Sequence, residues 1–376
     1  MRKEALDYIL VRSSVPIAIG RDLANNPCLK SPVSNLISQI SHLKSVPREQ
    51  RIVLHHTFTI MNGTVLRSTG SWYTVLLENR QRLECRIKGQ FRIKGLNVKN
   101  TNPIAVGDHV EVETDERDGT GTIVKLYDRK NYIIRRSTNL SKQTHIIAAN
   151  IDCAYVMATL IEPRTSTGFI DRFLVTAEAY SIPAGVIFNK RDLLDEELID
   201  YVNQLVQLYE SLGYACHFLS SFDKDGVEQL RAVMQGKVNL ISGHSGVGKS
   251  TLINAIEPAL DLRTGEISEA HNKGKHTTTF AEMFEMSGGS GNPGFIIDTP
   301  GIKEFGIIDV EKEELSHFFP EMRARFNQCK FDDCLHHHEP GCAVRKAVDE
   351  GHIALTRYDC YLGILTGEEL KKEYED

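Results

Sequence analysis

The sequence predicts a multi-domain chain: a small all-β barrel, then an α/β domain on a parallel sheet, then a helical module around a cysteine–histidine cluster. Three observations carry this. Short period-two strand patterns fill about 61–131, and strands and helices alternate from about 146 onward. Three of the eight cysteines, Cys329, Cys334 and Cys342, crowd into fourteen residues near the end.

Composition bounds the classes of function. A chain of 376 residues, 41% hydrophobic, can build two or three cores. The net charge of −6 gives no bulk signal for nucleic acid, so any such signal must be local. No run of eighteen apolar residues exists, which argues against a membrane helix. The start lacks a clean apolar core and a small-residue cleavage site, which argues against a signal peptide. Without a secretory signal, clustered Cys and His read as a metal site. Cys28, Cys85, Cys153, Cys216 and Cys360 then read as ordinary thiols in a reducing, cytoplasmic setting.

Residues 1–60 carry no motif. Two readings stay open for them: a poorly ordered extension, such as an upstream start codon would add, or a short docked helical arm. The barrel is expected over 61–135. "TVLRSTG", "WYTVLLEN", "RLECRIKG", "HVEVET" and "GTGTIVKLYDR" read as strands separated by turn residues. About five short strands in seventy residues suggest an OB-fold. Its strands are locally basic: Arg80, Arg82, Arg86, Lys88, Arg92, Lys94 and Lys99 face one acid, Glu84, over 80–99. Arg129, Lys130, Arg135 and Arg136 follow, and Trp72, Tyr73 and Phe91 are candidates to stack on bases. Basic strands with aromatics suit RNA. The competing reading is a solvated charged face over core aromatics.

The α/β domain is expected over 140–308. "IDCAYVMATL", "AGVIF", "ACHFLSS" and "KVNLIS" read as strands, with helices "IDRFLVTAEAYSI", "EELIDYVNQLVQLYESLG", "GVEQLRAVMQ" and "GKSTLINAIE" between and after them. "AEMFEM" and "GFIIDTPG" add two strands. The region 309–376 is polar and helical, with an acidic end.

"GHSGVGKST", residues 243–251, matches G-x-x-x-x-G-K-[ST] between an apolar strand and a helix. Gly243, His244, Ser245, Gly246, Val247, Gly248, Lys249, Ser250 and Thr251 therefore form the predicted phosphate loop. Its glycines let backbone N–H groups face phosphates, and the helix N-terminus adds positive charge. Lys249 is placed to reach the β- and γ-phosphates, and Ser250 to ligate magnesium. Asp298, in "DTPG", is placed to hold magnesium through water, and the Gly301 N–H to meet the γ-phosphate. Thr277, Thr278 and Thr279 are candidates for a switch threonine on magnesium, with Thr278 preferred. Asn189, Lys190 and Asp192 form N-K-x-D after "AGVIF". The Asp192 carboxylate can accept from both guanine N1–H and N2–H₂, a donor pair adenine lacks, so GTP and GDP are expected rather than ATP. Ser220 and Ser221 fit the segment that closes over the base.

The base-reading loop precedes the phosphate loop, the reverse of the usual order. That is a circular permutation of a P-loop GTPase. The site survives it, because a doubly wound sheet brings its strand C-termini to one edge.

"CKFDDCLHHHEPGC" places Cys329, Cys334, His336 and Cys342 at a spacing suited to one structural zinc. His337 and His338 compete for the imidazole position on spacing alone.

The motif order N-K-x-D, G-x-S-G-V-G-K-S, K-G-x-H-T-T-T, D-T-P-G resembles the circularly permuted ribosome-assembly GTPases of the RsgA (YjeQ) family. "FDDCLHHHEPGCAVRKAVDEGHI" and "RYDCY" resemble that family's zinc module, and "STGSWYTV", "GDHVEVE" and "RKNYIIRRS" its OB-fold. The resemblance spans about 61–361. It implies a GTPase that binds the small (30S) ribosomal subunit late in maturation, contacts its 16S rRNA, is stimulated by the subunit and leaves after hydrolysis. Ile302 stands where many GTPases carry a water-orienting glutamine, a trait of the family. That leaves His276 as the candidate to position the attacking water. His244 departs from the polar residues frequent at its position, and its side chain is expected to point away from the phosphates. Two alternatives remain: a translation-type GTPase on mature ribosomes, and an RNA-binding scaffold that binds GTP but hardly hydrolyses it. A monomer without membrane contact is expected.

Overall fold

The computed structural model describes residues 59–88, 103–114, 119–136, 144–262, 281–288, 293–298 and 310–367. The expectations for residues 1–58, for Phe91 as a stacking aromatic, for Arg92, Lys94 and Lys99 in the basic stretch and for the switch threonines lie outside these residues. The described residues belong to one compact unit, Phe58–Asp376.

Five strands close a barrel: β1 (Thr59–Ser68), β2 (Tyr73–Leu77), β3 (Arg82–Ile87), β4 (His109–Thr114) and β5 (Thr120–Leu126). Their order is β1-β2-β3-β5-β4, and β4 pairs back on β1 to close the circle. Only the β3–β5 pairing is parallel within it. Alternation drives closure. Along "RLECRI", Leu83 and Cys85 turn inward while Arg82, Glu84 and Arg86 face water. Val65, Tyr73, Val75, Val110, Val112 and Ile123 complete the barrel core.

A ribbon follows, β6 (Tyr132–Arg136) paired antiparallel with β7 (Thr144–Ala149). The boundary drawn at 135 from sequence thus falls inside β6. The second sheet contains β8 (Cys153–Ala158), β9 (Ala184–Phe188), β10 (Ala215–Phe218), β11 (Val238–Ser242), β12 (Glu282–Glu285) and β13 (Phe295–Asp298). Its order is β10-β9-β8-β11-β13-β12, parallel except for the β12–β13 pair. "CAYVMA" and "AGVIF" are near-continuous apolar runs because helices cover both faces.

Among the described residues the α-helices are α1 (Thr167–Ala179), α2 (Glu196–Ser211), α3 (Lys224–Met234) and α4 (Lys249–Ile256), then α5 (Pro320–Arg323), α6 (Ala343–Asp349) and α7 (Leu355–Thr366). Side chains of Ser166, Asp195 and Asp223 cap α1, α2 and α3. Each satisfies a backbone N–H that the first turn leaves open. Glu196 and Glu197 in the first turn of α2 also favour its positive end.

The barrel and the α/β layer share a core. Leu66, Leu76 and Val106 from the barrel pack with Ile133 of the ribbon and Ala154, Val156 and Leu240 of the sheet. Arg67 pairs with Glu282 between β1 and β12, and Arg80 meets Glu285 at 2.6 Å. At Gly107, with φ +85°, a Cβ would sit 2.2 Å from the Ala149 carbonyl oxygen, so the ribbon can approach the barrel only over glycine.

Two expectations for the barrel surface are corrected. Tyr73 is 1% exposed and fills the barrel core, so it cannot stack on a base. Arg129 is a structural cation. It donates to both carboxylate oxygens of fully buried Asp108 at 2.6 Å, and to the Pro103 carbonyl at 2.9 Å. Charge counted along a sequence cannot distinguish a solvated arginine from one neutralised in the interior. Arg82 and Arg86 on β3 and Lys88 just after it do face solvent, and Arg86 lies over the Trp72 ring at 3.8 Å. Lys130 is tied to Asp152.

Candidate nucleotide and metal sites

Strands β8, β9, β10, β11 and β13 all end at one edge of the sheet, and the predicted motifs leave from those ends. Asn189 directly follows β9, Ser220 and Ser221 follow β10, and Gly243 follows β11. Asp298 closes β13, in register with Ile241 of β11. The permuted order therefore converges on one place.

Asn189 makes that convergence a set of bonds. Its side-chain N–H donates to the Val247 carbonyl in the phosphate loop at 2.9 Å. Its Oδ1 accepts from the N–H and the hydroxyl of Ser221, each at 3.0 Å. Three loops thus meet on one amide that is 3% exposed. At Gly248, with φ +97°, a Cβ would come within 2.7 Å of the Asn189 amide nitrogen. Only glycine admits this approach. Ser220 accepts from the Phe222 N–H at 3.2 Å and is buried beside Ser221. Asp192 sits in the short 3-10 turn Arg191–Leu193 and is exposed. Lys190 holds a left-handed conformation, φ 63°, and its amine bonds the Glu162 carbonyl.

Ser250 and Thr251 occupy the first turn of α4, and Ser245 stands in the loop before it. The Lys249 amine donates to the carbonyls of Gly243 at 2.6 Å and His244 at 2.8 Å. Burial pushes its pKa down, while the Asp298 carboxylate opposes that shift. Asp298 therefore acts electrostatically on the Lys249 amine. A hydroxyl at Ser250 and a carboxylate beside Lys249 are hard oxygen donors that suit magnesium. His276, Thr277, Thr278, Thr279 and Gly301 lie outside the described residues.

The sequence motifs missed one wall of this site. The loop between β8 and α1 brings Pro163 against Gly246 and the Glu162 carbonyl to Lys190. It is cinched internally, since the Thr159 hydroxyl donates to the Pro163 carbonyl at 2.5 Å and the Thr165 N–H to the Thr159 carbonyl at 2.8 Å. His244 lies with its ring 3.8 Å from that of Phe169 in α1. No local sequence pattern marks this wall, because Pro163 and Phe169 meet the loop only once the chain has folded back.

At the other end of the molecule, Cys329, Cys334, His336 and Cys342 bring their ligand atoms within 4.8 Å of one another. Cys329 and Cys342 sulfurs lie 3.9 Å apart, and His336 Nδ1 is 3.5 and 3.4 Å from them. A tetrahedral zinc with ordinary bond lengths needs sulfur–sulfur edges of about 3.8 Å and sulfur–nitrogen edges of about 3.5 Å. The donor set fits. Backbone N–H groups of Ala343 and Arg345 donate to the Cys329 and Cys342 sulfurs at 3.3 and 3.4 Å, which favours thiolates. His337 and His338 stack on each other at 3.4 Å and stand outside the cluster. Spacing left the imidazole open among three histidines, and geometry selects His336.

Residues 126–308 match the family model described as the RsgA GTPase, and residues 62–123 match the RsgA N-terminal domain. A protein of Bacteroides fragilis (strain YCH46) named small ribosomal subunit biogenesis GTPase RsgA is 52% identical over 309 residues, 82% of this chain and 97% of its own length. A protein of the same name from Flavobacterium johnsoniae is 55% identical over 311 residues, 82% of this chain and 94% of its own. The crystal structure of YjeQ from Thermotoga maritima superposes with a TM-score of 0.67 at 35% identity, covering 84% of this chain and all of that one. YloQ, described as a circularly permuted GTPase, gives 0.64 at 30% identity over 85% of this chain and 98% of its own. With matched segments over more than half its length and relatives this similar end to end, the chain belongs to the RsgA family of circularly permuted GTPases.

Proposed function

We propose that the protein hydrolyses GTP to GDP and phosphate, and that it acts on the small ribosomal subunit late in its maturation. The observation that carries the nucleotide reading is the Asn189 joint, which ties the base-reading, base-closing and phosphate loops into one site. The relatives named for small-subunit biogenesis support the partner. The exposed Arg82 and Arg86 on β3 and Lys88 just after it support contact with its 16S rRNA through phosphates.

In this reading the loop 243–251 wraps the β- and γ-phosphates with its N–H groups. Lys249 leaves the Gly243 and His244 carbonyls and turns to the phosphates, where its charge offsets the negative charge of the transition state. Asp192 reads guanine, and Ser220 and Ser221 close over it. Magnesium, which would neutralise charge between the β- and γ-phosphates, is assigned to Ser250, to Asp298 through water and to Thr278. Gly301 is assigned to the γ-phosphate and His276 to orienting the attacking water. The Cys329, Cys334, His336 and Cys342 cluster is assigned one zinc that holds the C-terminal module together. The protein is expected to act as a monomer in the cytoplasm; no helix among the described residues is long and apolar enough to cross a membrane.

The deciding experiment measures phosphate release by the purified chain, alone and with small subunits. Large stimulation that Lys249→Ala abolishes is the expected result. Tight GTP binding with no stimulation would sink the assembly role. Preference for immature over mature subunits separates it from a translation factor.

A further inference from the structure

Asp171 stands amid apolar neighbours in α1 and is completely buried. A buried carboxylate is costly unless it is paired. Its Oδ1 accepts from Nη1 of Arg357 in α7 at 3.0 Å and from the Tyr209 hydroxyl in α2 at 3.0 Å. Arg357, equally buried, also donates to both Glu321 carboxylate oxygens, at 2.7 and 3.3 Å, and lies over the Phe319 ring at 4.8 Å. Removing any one charge would strand the others in the interior, so this joint has little slack.

The two helices it joins reach further. On one side, α7 carries the cysteine–histidine loop: the Tyr358 hydroxyl donates to the His336 carbonyl at 2.7 Å and Tyr361 to the Leu335 carbonyl at 2.6 Å. On the other side, α1 presents Phe169, whose ring meets His244 of the phosphate loop at 3.8 Å. Packed groups therefore run without a break from the metal loop through α7, Arg357, Asp171 and α1 to the loop that is to hold phosphates.

We propose that Arg357, Asp171 and Phe169 are positioning residues for the nucleotide, through which the metal-binding module sets the phosphate loop at His244. The inference rests on the reading of residues 243–251 as that loop. Close-packed elements shift as units rather than deforming locally. A load on the metal module that tilts α7 is passed by Arg357 to α1, and by Phe169 to His244. The quantity it changes is how tightly the loop keeps its nucleotide.

The test is the release rate of a fluorescent GDP analogue from the full, zinc-loaded chain. The variants are Arg357→Lys, Asp171→Asn, Phe169→Leu and the double Phe169→Leu with Arg357→Lys, with melting temperature and zinc content as folding controls. Each single change is expected to speed release about fivefold or more, and the double no more than the faster single, because both interrupt one line of contacts. Release within about twofold of the parent for both Arg357→Lys and Asp171→Asn, or effects that multiply in the double, overturns the proposal. Should Arg357→Lys lose zinc, Asp171→Asn decides, since it keeps the side-chain shape and the Oδ1 acceptor. A parent chain that fails to bind the analogue is a separate result, which overturns the phosphate-loop reading itself.

Discussion

In the proposed reading, Asp192 concentrates the specificity of the site in one carboxylate. It stands exposed on a 3-10 turn whose approach is fixed by the left-handed Lys190 and the Asn189 amide. Guanine can satisfy two lone-pair directions of that carboxylate at once. Asp192→Asn replaces one acceptor by a donor facing a donor, so GDP affinity should fall by about 100-fold while the melting temperature of the empty protein stays put. Titration with a fluorescent guanine nucleotide checks this, and unchanged affinity would remove Asp192 from the base site. Residues of this kind were legible in the sequence because their chemistry needs fixed types at fixed spacing. Asn189, Gly248 and Lys249 were singled out that way. Phe169 and Pro163 were not, since an aromatic or a proline against a loop is recognisable only once the chain has folded back. Tyr73 and Arg129 mark the opposite error, where residue type suggested a surface role and burial assigned the interior.

Elements repeat the lesson with different physics. Barrel strands announced themselves by alternation, and sheet strands by unbroken apolar runs, because one kind has a wet face and the other has none. Connections between elements were less visible. Nothing in the local pattern said that β1 would pair with β12, 215 positions on (from Arg67 to Glu282), or that Arg129 would bond Asp108. That ion pair holds the lead-in to β4, since the Asp108 carboxylate also accepts from the Ala105 N–H at 2.8 Å. Arg129→Ala leaves a fully buried carboxylate with its backbone partner alone, at a cost of about 3 kcal/mol, whereas Arg82→Ala on the wet face of β3 should cost under about 0.5 kcal/mol. Denaturant titration of the two variants gives the comparison. Equal effects would mean that Asp108 and Arg129 do not act as a buried pair.

At the scale of the molecule, the C-terminal module has its own core, yet that core includes Val175 of α1. Its remaining buried members come from the Leu315–Phe318 turn, Phe319, α5, α6, Ile353, α7 and the cysteine–histidine loop, too few residues to be stable without a cross-link. The cysteine–histidine cluster carries the consequence for pH. Without metal, burial pushes the Cys334 thiol up to about 12 and raises that of Cys342, so both sulfurs hold protons at neutral pH. Burial moves His336 the other way, which keeps its imidazole neutral and ready to ligate. A zinc ion bound there, as proposed, would therefore displace thiol protons but none from His336. Apparent affinity should rise with pH by at least about two protons' worth per ion, and zinc should be lost first in acid. Competition against a chromophoric chelator at pH 6 and pH 8 measures the slope. A flat profile would be incompatible with thiolate ligation. At pH 6 with chelator, loss of the ion frees the loop that Tyr358 and Tyr361 grip. An additional, earlier melting transition should then appear for the C-terminal module. The barrel and sheet, which share Leu66, Leu76 and Val106 across one core, should still melt together above it.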